Sequence, residues 1–335
     1  MWVEVAPPMS PIEPVELQVV ADATLTTFSK GRLRVAWPQP RRFVTGAVYD
    51  ATGRLVPQSQ RIGGLLSDHA LSADPSTLPP WDGGTTELPG TWLYAGTWFN
   101  HFGHFLTETV TTIWPQERVD GLVAHPFWFG REALPWQRAM LGLLGHAAAP
   151  TVVGPARLHV ERLLVPTRPY LPNGYALPEA VQVWRRMAAA ATAGQQGEPA
   201  RVYLSRSAHH RALEQAGRPS ARRAHNEAEV DELFRSRGYE VVHSEELDVA
   251  DQVRLAARTE VIVGLSGSAL HLSVFAPRGI PVVEVGDVRA RPHPVRTQEI
   301  LTQACGQRLG FLPFTGEADS HDIADLSRRL DEMGL

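Results

Sequence analysis

The sequence predicts an α/β protein built on a parallel sheet, and three observations carry that expectation. In the second half of the chain, apolar runs of about four to six residues alternate with helical patterns of about ten to thirteen, the spacing of βαβ crossovers. Helices there are punctuated by capping residues and glycines, as at Asn226 and Gly238. A shift to Ala193-Gly194-Gln195-Gln196-Gly197-Glu198-Pro199 separates this regular half from a less legible first half. At roughly 150 residues per domain, 335 residues make about two domains, which the joint divides into 1–193 and 194–335.

Taken in order, Pro7, Pro8, Pro11 and Pro14 make the opening an irregular arm. Leu33–Trp37 and Phe43–Tyr49 alternate like short strands, and Ser67–Gly90, rich in Pro, Gly, Ser, Thr and Asp, reads as a surface loop. Trp92–Tyr94 and Val119–Ala124 are strand-like. Phe102–Trp114 has helical periodicity ended by Pro115, and Leu134–Leu144 is a helix stopped by Gly145. Beyond the joint come a strand at Val202–Leu204, a helix from the Asn226 cap to Arg237, and a strand at Tyr239–His243. Asp248 caps a helix to Arg258, and buried-type strands at Val261–Gly264 and Ile280–Val285 flank a helix from Ser268 to Phe275. A last helix covers Pro294–Ala304. A doubly wound domain of this kind binds its ligand where carboxyl ends of strands meet helix starts.

Composition narrows the function. Apolar residues at 43% and charged residues at 20% exclude wholesale disorder, and a net charge of −4 argues against a general nucleic-acid binder. No apolar run approaches a membrane span, and Met1–Pro14 lacks the basic start and apolar core of a signal, so a cytoplasmic location is expected. Cys305 stands alone, which excludes an intrachain disulfide and any multi-cysteine metal site. Lys30 is the one lysine among 32 basic residues, a bias that fits a GC-rich genome. A P-loop or Schiff-base lysine therefore has almost nowhere to sit, and anions must be gripped by arginine, histidine or backbone amides.

Three constellations have chemical content. Arg201, Arg206, Arg211, Arg218, Arg222 and Arg223 fall within 23 residues, opposed by Glu214 alone and joined by His209 and His210. The run begins at a strand end, Tyr203-Leu204-Ser205-Arg206, where guanidinium forks can clamp a diphosphate; a solvated loop is the plain alternative. Gly264-Leu265-Ser266-Gly267-Ser268-Ala269-Leu270 is a small-residue turn between strand and helix, suited to a phosphate or simply to tight packing. Glu284, at the next strand end, is placed to accept ribose hydroxyls or to be an ordinary strand-end acid. In Asn100-His101-Phe102-Gly103-His104-Phe105-Leu106-Thr107-Glu108, His104 and Glu108 share one helix face. That pair serves a general base with its orienting partner, or a helix start with a dipole-complementing acid. The spacing matches no zinc motif, and no metal is expected.

These residues resemble glycosyltransferase family 61. Tyr203-Leu204-Ser205-Arg206 is similar to that family's aromatic-x-Ser-Arg strand end, and Arg222-Arg223-Ala224-His225-Asn226-Glu227 to its Arg-x-x-x-Asn-Glu helix start. Gln252, the Gly264–Leu270 turn, Phe275 and Val283-Glu284-Val285 follow in order, and Asn100–Trp114 looks like the family's His-containing helix. One departure stands out: where the family usually has Gly-x-His-Gly-Ala, this chain has Ser266 and Ser268, with His271 one helical turn later.

The resemblance implies the GT-B arrangement, two Rossmann-like domains facing across a cleft, with an acceptor-side domain followed by a nucleotide-sugar-binding one. It implies an inverting, metal-independent sugar transfer from a nucleoside-diphosphate sugar to a glycan, a lipid-linked glycan or another hydroxyl acceptor, with no separate cofactor. Bacterial polysaccharide assembly and peripheral membrane association fit that role. His104 or Glu108 would take the proton. Donor binding would fall to Arg206, Arg211, Arg223, Asn226, Glu227, Gln252, Ser266, Gly267, Ser268, His271 and Glu284. Two other readings stand behind it. A member with altered catalysis would act as a nucleotide-sugar or glycan-binding scaffold. Gly264-Leu265-Ser266-Gly267-Ser268 also nears a nucleophile elbow, with Asp287 and His293 in hydrolase order, although its final glycine is Ser268.

Overall fold

A computed structural model describes residues 1–5, 14–27, 29–33, 41–60, 75–127, 132–146, 148, 150–194 and 197–335, without the side chains of 29–33 and 41–45. Most of the proline arm and of the Leu33–Trp37 strand, the start of the 67–90 loop, and Gln195 and Gln196 of the joint lie outside the described residues. The chain divides into two compact units, Met9–Val183 and Trp184–Leu335 together with Met1–Pro8. Among the described residues no helix is long and apolar enough to cross a membrane.

In the Met9–Val183 unit six strands form one sheet: β1 Leu17–Leu25, β2 Val48–Tyr49, β3 Thr85–Phe99, β4 Gly121–Phe127, β5 Thr151–Val152 and β6 Arg157–Pro166. Their order is β2-β1-β6-β3-β4-β5. β6, β3, β4 and β5 are mutually parallel, while β1 runs antiparallel to both β6 and β2. The sheet is thus mixed, and an all-parallel doubly wound pattern describes only part of it. β1 pairs with β6 from Leu17 opposite Pro166 to Leu25 opposite Leu158, and buries Val20, Ala23 and Leu25 with Val160 and Leu163.

β3 begins inside the stretch expected to be loop. Pro89 and Gly90 give the turn signal, but Gly90 (φ +86°) marks an irregularity where the pairing with β6 shifts between Leu88 and Thr91. It is a bulge within a strand. β3 ends at Phe99 and leads into a helical segment with three geometries in series: one α turn at Phe102–His104, a π turn at Phe105–Thr109 and a 3-10 turn at Val110–Ile113. Threonine hydroxyls explain the irregularity. Thr107 donates to Gly103 O at 2.9 Å, Thr111 to Thr107 O at 2.7 Å and Thr112 to Thr109 O at 2.7 Å, contacts that compete with the regular ladder and bend helices. Helix α1 spans Pro135–Gly142, with proline at its first position.

The second unit carries an all-parallel sheet of β7 Ala200–Leu204, β8 Glu240–Val242, β9 Thr259–Leu265, β10 Pro281–Val285 and β11 Arg308–Leu312, in the order β8-β7-β9-β10-β11. Its helices are α2 Pro178–Thr192, within which the division between units falls, α3 Ser207–Gln215, α4 Glu227–Ser236, α5 Val249–Ala257, α6 Arg296–Ala304 and α7 Ile323–Met333. Gly238 follows α4 with φ +79° and Asp248 accepts from Asp251 N at the start of α5, as expected, whereas Asn226 holds the N-cap position of α4 without a side-chain cap, its amide being used on the His321 backbone. After β9 the expected α-helix is a 3-10 segment, Leu270–Phe275. Tyr203 stacks on Phe234 with centroids 4.0 Å apart, in a core shared with Val263, Val283, Leu312 and Leu330. The chain steps from β7 outward to β8 and returns to the other side for β9, so strand order reverses between β7 and β9.

Candidate functional site

At that reversal two strand ends lie side by side, with Leu204 opposite Gly264. β7 runs through Ser205 and Arg206 directly into α3, and β9 runs into Ser266-Gly267-Ser268. Gly267 has φ +146°, where a side chain is strained. A Cβ there would stand 2.6 Å from Arg206 Nη1 and 3.4 Å from Arg222 Nη1. Two guanidinium groups therefore rest over one glycine.

Neither the Arg206 nor the Arg222 guanidinium makes an ion pair or hydrogen bond with a described residue. Burial lowers the Arg206 pKa, and the Arg222 charge lowers it further against the pull of Glu245, Glu227 and Asp287. Arg222 is lowered by burial and then by Arg289, with Asp287 opposing and Arg291 adding to the repulsion. Arginine stays charged regardless. Asp287 is buried and already spoken for: Arg289 reaches Oδ1 through Nε at 2.7 Å and Oδ2 through Nη2 at 2.5 Å. His209, on the first turn of α3, has its pKa lowered by burial and then by Arg206. Gathering like charges is costly, and a bound phosphate or carboxylate relieves that cost through charge-assisted bonds.

The platform under Arg206 is braced. Ser207 N donates to Ser205 Oγ at 3.1 Å, Ser207 Oγ donates to Asp231 Oδ2 at 2.8 Å, and His210 Nδ1 meets Glu227 in a buried pair. Asn226 bonds the His321 backbone twice, through Nδ2 to O at 2.9 Å and Oδ1 from N at 2.8 Å. Gln252 gives Nε2 to Leu247 O at 3.0 Å. These three expected donor-binding residues, Asn226, Glu227 and Gln252, have bonds within the fold.

The remaining expected residues separate. Arg223 is paired with Glu214, and its neighbour Arg222 is the one over Gly267. Arg211 is exposed on α3, and Ser268 is half-buried in the turn. His271 is buried with Nδ1 at 3.0 Å from Gln298 Oε1. Glu284 is only 1% exposed; it takes Val295 N at 3.1 Å and the Ser266 hydroxyl at 2.5 Å. Its carboxylate faces into the fold rather than toward a ribose, and burial pushes its pKa up to about 7. The same bond disposes of the nucleophile elbow: Ser266 is buried and its hydroxyl lies on Glu284 and Val285 O, with no histidine partner among the described residues.

In the other unit, His104 closes the α turn that follows β3, five residues past Phe99. Its Nδ1 lies 2.6 Å from Glu108 Oε1. The carboxylate is 8% exposed and the imidazole 49%. Phe99 stacks on the ring at 5.2 Å, and His101 meets it edge-on at 5.0 Å. A carboxylate can only accept, so Nδ1 carries the proton and Nε2 presents a lone pair, with no partner among the described residues. That is the geometry of a general base with its orienting acid. Among the described residues no group of three or more His, Cys, Asp or Glu side chains is arranged to hold a metal ion.

Residues 102–283, more than half of the chain, match the family model of glycosyltransferase 61. The matched span includes His104, Glu108, Arg206, Arg222 and Gly267. No curated protein matches the chain significantly in sequence.

Proposed function

Because the chain belongs to glycosyltransferase family 61, we propose that it moves a sugar from a nucleoside-diphosphate donor to a hydroxyl acceptor, inverting the anomeric carbon, as a GT-B-type enzyme. The observation that supports the donor class is the pair of guanidiniums, Arg206 and Arg222, that bond no described residue and rest over Gly267 at the switch point of a parallel sheet. A diphosphate is the ligand whose charge suits them.

The reaction is a single displacement. The acceptor oxygen bonds to the anomeric carbon from the face opposite the diphosphate. The carbon–oxygen bond to the leaving group breaks, and its electron pair goes to the terminal phosphate oxygen. Arg206 and Arg222 stabilise that growing charge, so the proposal calls for no metal ion. His104 Nε2 takes the hydroxyl proton while Glu108 holds Nδ1–H and stabilises the imidazolium.

Calorimetric titration with UDP, GDP, CDP and dTDP tests the donor site. Charged hydrogen bonds contribute about 1.5–3 kcal/mol each, so Arg206→Ala and Arg222→Ala should each weaken the preferred nucleotide about 10-fold to 100-fold, with thermal stability nearly unchanged. Binding that is indifferent to both substitutions, or absent for all four nucleotides, overturns the proposal. The inward turn of Ser266 favours one other reading, a binding protein without transfer, since that hydroxyl is not free to assist a leaving group. Donor hydrolysis in the absence of acceptor separates the two, because a transferase leaks some turnover to water.

A further inference from the structure

Glu284 faces into the fold, which leaves the donor's ribose without the acid expected for it. Another carboxylate stands where the first strand pair ends. β8 runs parallel to β7 with Val242 opposite Leu204, and Ser205 N donates to Val242 O at 2.9 Å, so the two strands finish level. β7 continues into Arg206 and α3, whose first turn carries His209; β8 continues into a 3-10 turn, Ser244–Glu246, that carries Glu245. The three side chains lie within electrostatic reach of one another. Burial, above all, lowers the pKa of Arg206 and of His209, the Arg206 charge lowers that of His209 further, and the Glu245 carboxylate opposes the shift in both.

Three carboxylates act on Arg206: Glu245, Glu227 and Asp287. Two are committed within the fold. Glu227 is buried against His210, and Asp287 is held through both oxygens by Arg289. Glu245 is exposed, and its carboxylate bonds no described residue. His209 is half-buried; its ring lies 5.9 Å from that of His210 and makes no hydrogen bond with a described residue. We propose that Glu245 and His209 form the ribose subsite of the donor, with Glu245 accepting the 2′-hydroxyl, so that the donor is a ribonucleotide rather than a 2′-deoxyribonucleotide; this rests on the reading of Arg206 and Arg222 as the diphosphate clamp. The charges select the occupant. A second anion is repelled by Glu245, and a cation by Arg206 and Arg222. Neutral hydroxyls tethered to a phosphate suit both, and hydrogen bonds to a carboxylate are the strong kind. In doubly wound nucleotide-binding sheets the ribose 2′-hydroxyl meets an acid that follows the first βα unit, and the end of β8 holds that place. Neutral His209 offers one donor and one acceptor, the complement of a hydroxyl. An exposed acid beside an arginine is ordinarily a weak counter-charge. That plain role makes the opposite prediction, because without Glu245 the arginines would grip phosphate more tightly.

Calorimetric titration of the full-length protein with UDP, GDP and CDP, each beside its 2′-deoxy counterpart, and with inorganic pyrophosphate tests the subsite without any sugar on the donor. The preferred ribonucleotide should bind about tenfold or more tightly than its deoxy form, the loss of one hydrogen bond to a charged group. Glu245→Ala, a surface change that the fold should tolerate, should weaken the ribonucleotide about tenfold and leave the deoxynucleotide within about twofold, so that the preference disappears. Pyrophosphate should bind this variant as well as the parent or better. Equal affinity of the parent for ribonucleotide and deoxynucleotide overturns the subsite, as does a Glu245→Ala protein that keeps the preference or loses pyrophosphate along with the nucleotide. A preference unchanged in His209→Ala removes His209 from it. The two proposals fail separately. Nucleotides that bind without regard to the 2′-hydroxyl, yet weaken with Arg206→Ala, keep the clamp and remove the ribose subsite. A protein that binds neither nucleotide nor pyrophosphate removes both.

Discussion

His104 and Glu108 stand four residues apart with 2.6 Å between Nδ1 and Oε1, and that bond decides which face of the imidazole is basic. A glutamine at 108 keeps the size and reach of the side chain, but its amide can donate to Nδ1. The ring proton then moves to Nε2 and the acceptor is lost. Glu108→Gln is therefore expected to lower kcat by about 10²–10⁴ with nucleotide affinity unchanged. His104→Ala should cost a similar factor, and the double variant little more, because groups that act as a unit are not additive. Turnover at saturating donor, set beside calorimetric nucleotide binding, checks this. A Glu108→Gln protein as fast as the parent removes Glu108 from the reaction, and a His104→Ala protein as fast as the parent removes His104.

At the scale of elements, the turn after β9 joins fold and chemistry. Gly267→Ala forces a side chain into φ +146° and places Cβ 2.6 Å from the tip of Arg206. The arginine can swing aside, so the change should cost stability only about 1–3 kcal/mol. Nucleotide affinity should nevertheless fall by about tenfold, the loss of one guanidinium contact. Melting temperature and calorimetry on one preparation separate the two effects, and unchanged affinity means the guanidiniums do not need the turn. The turn was legible because buried strands announce themselves as apolar runs and helices as capped ones; β7, β9, β10, α4 and α5 all carried those signals. β1 and β6 did not. They pair with each other, far apart in the chain, and His159, Glu161 and Arg162 interrupt the apolar run of β6, so neither segment resembles a strand before the other is placed. Within the site, Arg206 was marked by its strand end, whereas the choice between Arg222 and Arg223 depends on Glu214, which sequence alone cannot rotate toward one of them. Glu284 misled for a related reason. In a parallel sheet covered on both faces a strand-end acid has no assured outward side, and Val295 at the start of α6 closes over this one.

Across the whole molecule two buried groups give the units opposite responses to pH. In the first unit His125 is buried, with Tyr94 Oη 2.8 Å from Nδ1 and Nε2 3.2 Å from Thr26 O. The tyrosine donates, the imidazole donates onward to the carbonyl, and the neutral ring is fully used. Burial, above all, lowers its pKa from 6.5 to about 4. A folded-state value below the unfolded one means this contribution is complete above pH 6.5 and is lost as pH falls toward 4. Glu284, in the second unit, is raised from 4.5 to about 7, chiefly by burial. Its neutral form is also accommodated, since its proton can go to Ser266 Oγ while that hydroxyl donates to Val285 O at 3.3 Å. This contribution has the other sign: complete below pH 4.5, lost as pH rises through 7. A tenfold difference in proton affinity between the folded and unfolded chain corresponds to about 1.4 kcal/mol, so each effect is on the order of 3–4 kcal/mol. Calorimetric melts from pH 4 to 8 should show one transition weakening on acidification and another weakening toward neutrality. His125→Gln should flatten only the first and Glu284→Gln only the second. The assignment of His125 fails if His125→Gln melts with the parent's acid slope, and that of Glu284 fails if Glu284→Gln keeps the loss between pH 4.5 and 7.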